Sequence, residues 1–260
     1  MSFFWFLFVD LNNTIIKYNE FMSLSKNQLK LITRLQQKKY RQKHKLFVVE
    51  GIKVVEEFLH SSYELEMLFS TENSFSHLDT FIEVSDQELK KISSLKTPNK
   101  VLAIFKIPEK KFIKPSGLIV ALDGVNNPGN LGTIIRLCDW FGVKQLICSN
   151  ETVDCYNTKV VQASMGSLTR IEISYTDLQE YLSCISIPKF IADMEGENIY
   201  KTKLDSEAVL VMGNESNGIS DSIMDIVDTK VSIPRFGNCQ QTESLNVATA
   251  TAIMLSEFRR

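Results

Sequence analysis

The densest chemistry in this sequence lies in its final stretch, residues 233–260, IPRFGNCQQTESLNVATATAIMLSEFRR. Asn238, Gln240, Gln241, Thr242, Glu243, Ser244 and Asn246 crowd the point where a loop runs into a helix. Such a run is poor core material, because buried polar groups need partners, and a ligand can supply them. Two earlier loops share this character, DGVNNPGNLG (123–132) and GNESNGIS (213–220). Gly124, Gly129, Gly132, Gly213, Gly218 and Gly237 fall in the three loops, out of eleven glycines in all. Glycine lets backbone approach a ligand closely, so the clustering predicts one composite site.

Several chemistries are excluded by residue type. The first loop is not G-x-G-x-x-G, so a dinucleotide fingerprint is weakly supported, and Asn130 stands where a phosphate-binding P-loop needs lysine. No G-x-S-x-G elbow occurs. A hydrolase built on Ser244 would need a histidine base, yet His44, His60 and His77 all precede the region. The histidines share no metal-ligand spacing, and the five cysteines (Cys138, Cys148, Cys155, Cys184, Cys239) form no C-x-x-C. No metal site is expected. Scattered, odd-numbered cysteines fit a reducing, cytoplasmic compartment.

The elements that must position the loops follow from periodicity. From residue 118 the chain alternates strands and helices: GLIVAL, a helix over 131–141, VKQLICSN, a helix from Asp154 to about Ser167, TRIEIS, a helix capped by Thr176 with Gln179, KFIADM, AVLVMG and TKVSIP. That alternation predicts a parallel sheet with helices on both faces, whose ligands bind beyond the carboxyl ends of the strands. All three loops lie there. Ser244 or Thr242 is expected to cap the last helix, with Leu245, Ala248, Ala252 and Leu255 near one face.

Upstream, Ser25 with Gln28 and Ser85 with Glu88 form capping boxes. The first opens a helix over about 26–42 with a basic end, Lys38, Lys39, Arg41, Lys43, His44 and Lys45. Strands are expected at 46–51, 63–70, 81–85 and 100–108, making a small α/β unit. KIPEKKFIKPSG (106–117) reads as a linker. The chain has 260 residues, 44% of them hydrophobic, and a net charge of −2. It is no generic polycation, so binding of a polyanion must come from local patches such as these lysines. Residues 1–21 read as an upstream extension outside the fold; MSFFWFLFV is too short to span a bilayer, and the alternative is a short membrane-contacting tail.

Taken together, DGVNNPGNLGTIIRLCDWFG, VLVMGNESNGIS and SIPRFGNCQQTESLNVATATA resemble the three ordered motifs of the SpoU/TrmH family of RNA ribose 2′-O-methyltransferases, over about 115–260. KKYRQKHKLFVVEG is similar to part of the ribosomal-protein-like RNA-binding domain that often precedes this catalytic domain. The resemblance implies a C-terminal α/β parallel-sheet domain (118–260) closed by a trefoil knot, behind a linker (107–117) and an RNA substrate-binding domain (22–106). It implies S-adenosylmethionine as methyl donor, RNA as substrate (ribosomal first, transfer second), a homodimer and no membrane partner. On it, Asn130, Arg136, Glu215, Ser244 and Asn246 are the expected catalytic residues. Met212, Gly213, Asn214, Ile233 and Leu245 would border the cofactor, and Lys38, Lys39, Arg41, Lys43 and Lys45 would hold RNA. Arginine has no acceptor, so Arg136 is read as a phosphate clamp and a stabiliser of charge on the 2′ oxygen rather than a base. The loop between Pro234 and Ser244 is longer than in the shortest members of that family. A non-catalytic RNA binder and a methyltransferase acting on a base nitrogen are the alternatives.

Overall fold

The computed structural model describes residues 24–109, 114–237 and 244–260. The proposed extension 1–21, the middle of the linker and residues Asn238 to Glu243 lie outside the described residues. The first unit runs α1 (Lys26–Leu35), α2 (Lys38–His44), β1 (Leu46–Glu50), α3 (Ile52–Leu59), β2 (Leu65–Ser70), β3 (Phe81–Glu83), α4 (Asp86–Ile92) and β4 (Val101–Lys106). Its sheet has the order β1-β4-β2-β3. Alternate residues of β1 and β4 point to opposite faces. Leu46, Val48, Leu102 and Ile104 pack with α1 and α4, and Phe47, Val49, Ala103 and Phe105 with α3.

Both capping boxes form at Ser25 and Ser85. The expected single helix over 26–42 is instead broken at Gln37, whose backbone is extended. The reason is Arg41: its Nη1 donates to the carbonyls of Leu35 and Gln36, at the C-terminal end of α1, at 2.8 and 2.9 Å. Those carbonyls have no partner within α1, and a side-chain cation satisfies them.

The second unit runs β5 (Leu118–Leu122), α5 (Pro128–Trp140), β6 (Gln145–Ser149), α6 (Thr158–Ser164), β7 (Glu172–Thr176), α7 (Leu178–Cys184), β8 (Lys189–Asn198), β9 (Ala208–Met212), α8 (Asp221–Met224), β10 (Thr229–Ser232) and α9 (Val247–Phe258). Its six strands are all parallel, in the order β10-β8-β9-β5-β6-β7. Central strands of such a sheet are apolar on both faces. Leu118, Val120 and Leu122 of β5 face the α5, α6 and α9 side, while Ile119 and Ala121 face α7 and α8.

Three helix starts differ from expectation. α6 begins after Asn157, whose Oδ1 accepts from Lys159 N; Asp154 is engaged elsewhere. α7 is capped by Asp177 rather than Thr176, because Asp177 Oδ1 accepts from Glu180 N at 3.0 Å. α9 is capped by Asn246, not Ser244, and Leu245 lies outside the helix, 48% exposed. β8 also continues past Met194 to Asn198.

Candidate active site

β5 and β9 are neighbours at the point where the strand order reverses direction, and in such sheets ligands bind beyond the carboxyl ends of the strands at that point. The loop after β5 is fixed first. Gly124, at φ +72, takes a conformation that favours glycine; its N–H donates to Ser149 Oγ at 3.0 Å. Asn127 then caps α5, its Oδ1 accepting from Gly129 N at 2.8 Å and Asn130 N at 3.2 Å, with Pro128 in the first helical turn. The helix thus starts earlier than 131, and the capping role falls to Asn127. That leaves the Asn130 carboxamide available to reach other loops.

It reaches both. Asn130 Nδ2 donates to Glu215 Oε1 at 2.8 Å in the loop after β9. Asn130 Oδ1 accepts from Asn246 Nδ2 at 3.0 Å at the mouth of α9. Asn246 Oδ1 in turn accepts from Ala248 N and Thr249 N at 3.0 and 3.2 Å. The cap therefore fixes which way round each amide lies: oxygen toward α9 leaves the Asn246 nitrogen for Asn130, and the Asn130 nitrogen for the carboxylate. The last bond is charge-assisted.

The loop after β9 is closed on itself. Asn214 and Gly218 exchange backbone bonds at 2.8 and 3.0 Å. A Cβ on Gly213 would lie 2.5 Å from the backbone carbon of Gly218, so only glycine fits. Asn214 Nδ2 donates to Gly124 O at 2.6 Å, and its Oδ1 accepts from Ser216 N and Asn217 N. The Asn214 side chain thus shapes the loop with its own polar groups. Asp123 Oδ2 accepts from Ser220 N at 2.8 Å and ties the same two loops, a link that sequence reasoning did not single out.

Arg136 stands on α5, exposed, and among the described residues no hydrogen bond or ion pair holds it. Ser244 and Leu245 are exposed at the mouth of α9; Met212 is buried, and Ile233 is half-buried at the end of β10. Exposed Leu245, next in the chain to Asn246, and half-buried Ile233 put apolar side chains in the third loop. This suits a ligand with apolar ring faces and a polar rim, as S-adenosylmethionine has. The nearby cysteines are no nucleophiles. Burial pushes the Cys138 thiol up to about 12 and raises Cys148 and Cys155 as well, so all three are protonated at neutral pH.

The expected RNA-holding residues separate. Lys38, Lys39, Lys43 and Lys45 are exposed. Arg34 and Lys39 lie over the Tyr40 ring at 5.2 and 4.9 Å from its centre. Arg41 is the correction: it is 2% exposed and its Nε and Nη2 donate to Asp154 Oδ2 at 2.8 and 2.6 Å. Four of the five N–H donors of Arg41 are engaged within the protein and the side chain is buried, which takes it out of reach of a phosphate. The spacing in KKYRQKH puts position 41 on the inner side of α2, a signal that charge composition hides.

Two family descriptions match this chain: the SpoU rRNA Methylase family over residues 117–256, and the MRM3-like substrate binding domain over 26–103. The 23S rRNA (guanosine(2553)-2′-O)-methyltransferase RlmP of Bacillus subtilis is 31% identical over 252 residues, covering 90% of this chain and 97% of that protein. Among solved structures, a Porphyromonas gingivalis protein assigned to the TrmH family of RNA methyltransferases superposes with a TM-score of 0.83 at 36% identity, covering 91% of this chain and 98% of that one. An AdoMet-bound rRNA methyltransferase from Sinorhizobium meliloti superposes with a TM-score of 0.81 at 29% identity, covering 92% and 96%.

Proposed function

The chain belongs to the SpoU rRNA methylase family, and from that premise we propose that it transfers a methyl group from S-adenosylmethionine to a ribose 2′-hydroxyl of ribosomal RNA. The observation that carries this reading is the relay Asn246–Asn130–Glu215, which joins the loops after β5 and β9 to the mouth of α9, with Arg136 exposed on α5 and unpaired among the described residues.

Bound S-adenosylmethionine supplies an electrophilic methyl group on a sulfonium. Met212, Gly213, Ile233 and Leu245 border it, with Asn214 holding the loop in shape. Arg136 grips the phosphate next to the target ribose and stabilises charge developing on the 2′ oxygen; such a donor contributes about 10²–10³ in rate. Asn130, Ser244 and Asn246 orient the ribose and the guanidinium, and Glu215 fixes Asn130. Most of the acceleration comes from holding oxygen, methyl and sulfur in line.

Residues 118–260 form the catalytic domain, 22–106 the RNA-binding domain and 107–117 the linker. A trefoil knot is supported by the return of the last segment onto α5, where Asn246 bonds Asn130, and Arg259 donates to the carbonyls of Phe141 and Gly142. The reading includes a homodimer. Among the described residues no helix is long and apolar enough to cross a membrane. A ribosomal substrate and the free cysteines favour the cytoplasm.

The test is incubation of the protein and isotopically labelled S-adenosylmethionine with RNA from cells lacking the gene, followed by size separation and digestion to nucleosides. Label in a 2′-O-methylated nucleoside of rRNA is expected. Label on a base, or none despite bound cofactor, overturns the reading.

A further inference from the structure

The short helix α2 faces two ways. Outward it presents Lys38, Lys39, Lys43 and, just beyond its end, Lys45. Inward it presents Arg41, whose guanidinium holds the carbonyls of Leu35 and Gln36 and the carboxylate of Asp154 in the second unit. Asp154 is itself pinned, its Oδ1 accepting from Tyr156 N at 3.1 Å. Around this pair the two units share one apolar cluster, from Phe47, Phe58 and Phe105 to Leu122, Val160 and Leu168. Phe47 lies 4.7 Å from Tyr156, ring centre to ring centre, and the Tyr63 and Tyr156 hydroxyls are 3.4 Å apart. Beyond α6, Arg170 pairs with Glu57 of α3 and also with Asp139 of α5. The segment 154–170, which contains α6, is thus tied to the first unit at both ends.

Domains within one chain usually move relative to each other unless their interface is large and apolar. This interface is apolar and closed over a buried ion pair. Resting on the methyltransferase reading above, we infer that Arg41 and Asp154 are positioning residues. They fix the lysine face of α2 at one distance and angle from the Asn130–Arg136 site, so that the substrate is an RNA already folded, presenting its gripped phosphates and its target ribose in one geometry. A short unstructured RNA can meet either half of this surface but not both at a set spacing. RNA helices and loops are recognised by shape in this way.

The role separates placement from affinity. Loosening the interface leaves all four lysines in place, so the KM for RNA is kept, while the target ribose is presented out of line and kcat falls. A misplacement of that kind costs about a hundredfold. The experiment compares methyl transfer to intact rRNA from cells lacking the gene with transfer to the same RNA hydrolysed to short oligonucleotides. For Arg41→Ala, kcat on intact rRNA is expected to drop about a hundredfold, with KM, cofactor affinity and the slow rate on oligonucleotides unchanged. The double variant Arg41→Met with Asp154→Leu refills the interface with apolar side chains and keeps it closed; wild-type kcat is expected to return. Should Arg41→Ala fail to fold, Tyr63→Ala loosens the same interface from its other side, with the same expected split. Equal wild-type rates on intact and hydrolysed RNA, or a loosened variant that raises KM at unchanged kcat, overturn the inference alone. No transfer to any RNA with cofactor bound overturns the methyltransferase reading and this inference with it.

Discussion

Asn130 and Asn246 are separated by 116 positions in the chain, yet the nitrogen of one carboxamide sits 3.0 Å from the oxygen of the other. Asn246 does two jobs with one side chain: its oxygen caps α9 and its nitrogen orients Asn130. Substitution separates them. Serine caps about as well as asparagine, whereas alanine costs about 1 kcal/mol. Asn246→Ser is therefore expected to melt within about a degree of the wild type, and Asn246→Ala about 2–4 °C lower. Methyl transfer should fall in both, because alanine has no donor and the shorter serine hydroxyl falls short of the Asn130 oxygen that the Asn246 amide reaches. Calorimetry beside a labelled-methyl assay reads the two effects independently; full activity in Asn246→Ser would show that the relay is structural.

Arg136 has no protein partner among the described residues, so its removal leaves no orphaned group and no cavity. Arg136→Ala should fold normally, bind S-adenosylmethionine with wild-type affinity, and lose about 10²–10³ in kcat. Arg136→Lys should recover part of the loss, since a point charge replaces a planar fork. Normal turnover by Arg136→Ala would remove it from the site.

The parallel sheet was legible because its strands are unbroken apolar runs: LIVAL in β5 and AVLVM in β9 are buried on both faces, and only that environment tolerates them. The loops of the site were legible for the opposite reason, as polar and glycine-rich runs where core residues would otherwise stand. The exact caps were not. TESLN offers three side chains able to cap α9, and the one that does so, Asn246, also bonds Asn130 from another loop, a fact no local spacing contains. Arg41 was hidden in the same manner. In KKYRQKH it looks like one cation among several, and the carboxylate that it pairs with, Asp154, lies 113 residues away.

Gly213 is the tightest point of the loop after β9. Its missing Cβ would sit 2.5 Å from backbone rather than from a side chain that could swing aside. Gly213→Ala must therefore push the Asn214–Gly218 turn outward, at about 1–3 kcal/mol. Because Met212 and Gly213 open this loop, the same displacement should weaken S-adenosylmethionine binding. Isothermal titration of the variant checks it: an unchanged Kd at a lowered Tm would mean that the turn does not touch the cofactor.

The four exposed lysines of α2 and its end give a countable prediction. Each phosphate neutralised contributes about 0.7–0.9 to the slope of log affinity against log salt, from single strand to duplex. Replacing Lys38, Lys39, Lys43 and Lys45 with glutamine should flatten that slope by about 3 if all four meet phosphates. Arg41, being buried, should not be counted among them. An unchanged slope would put the RNA on another face.

The interface between the two units carries its own pH limit. Burial raises the Tyr63 hydroxyl from its ordinary 10.0 to about 12, its bond to Tyr156 offsetting this only in part. Tyr156 and Tyr175 are raised too, again by burial. A proton held more tightly in the folded state stabilises it below the unfolded value. For Tyr63 that stabilisation is complete below pH 10.0 and drains away as pH rises toward about 12, where the buried phenol must ionise or the interface must open. Tyr63→Phe carries no proton to lose. It should be the less stable protein at neutral pH, where it lacks the 3.4 Å hydroxyl contact. Through the alkaline window its Tm should decline less steeply than that of the wild type. Melting curves across that range decide it: parallel declines would mean that Tyr63 is already solvated, and that the aromatic contact between the units is open in solution.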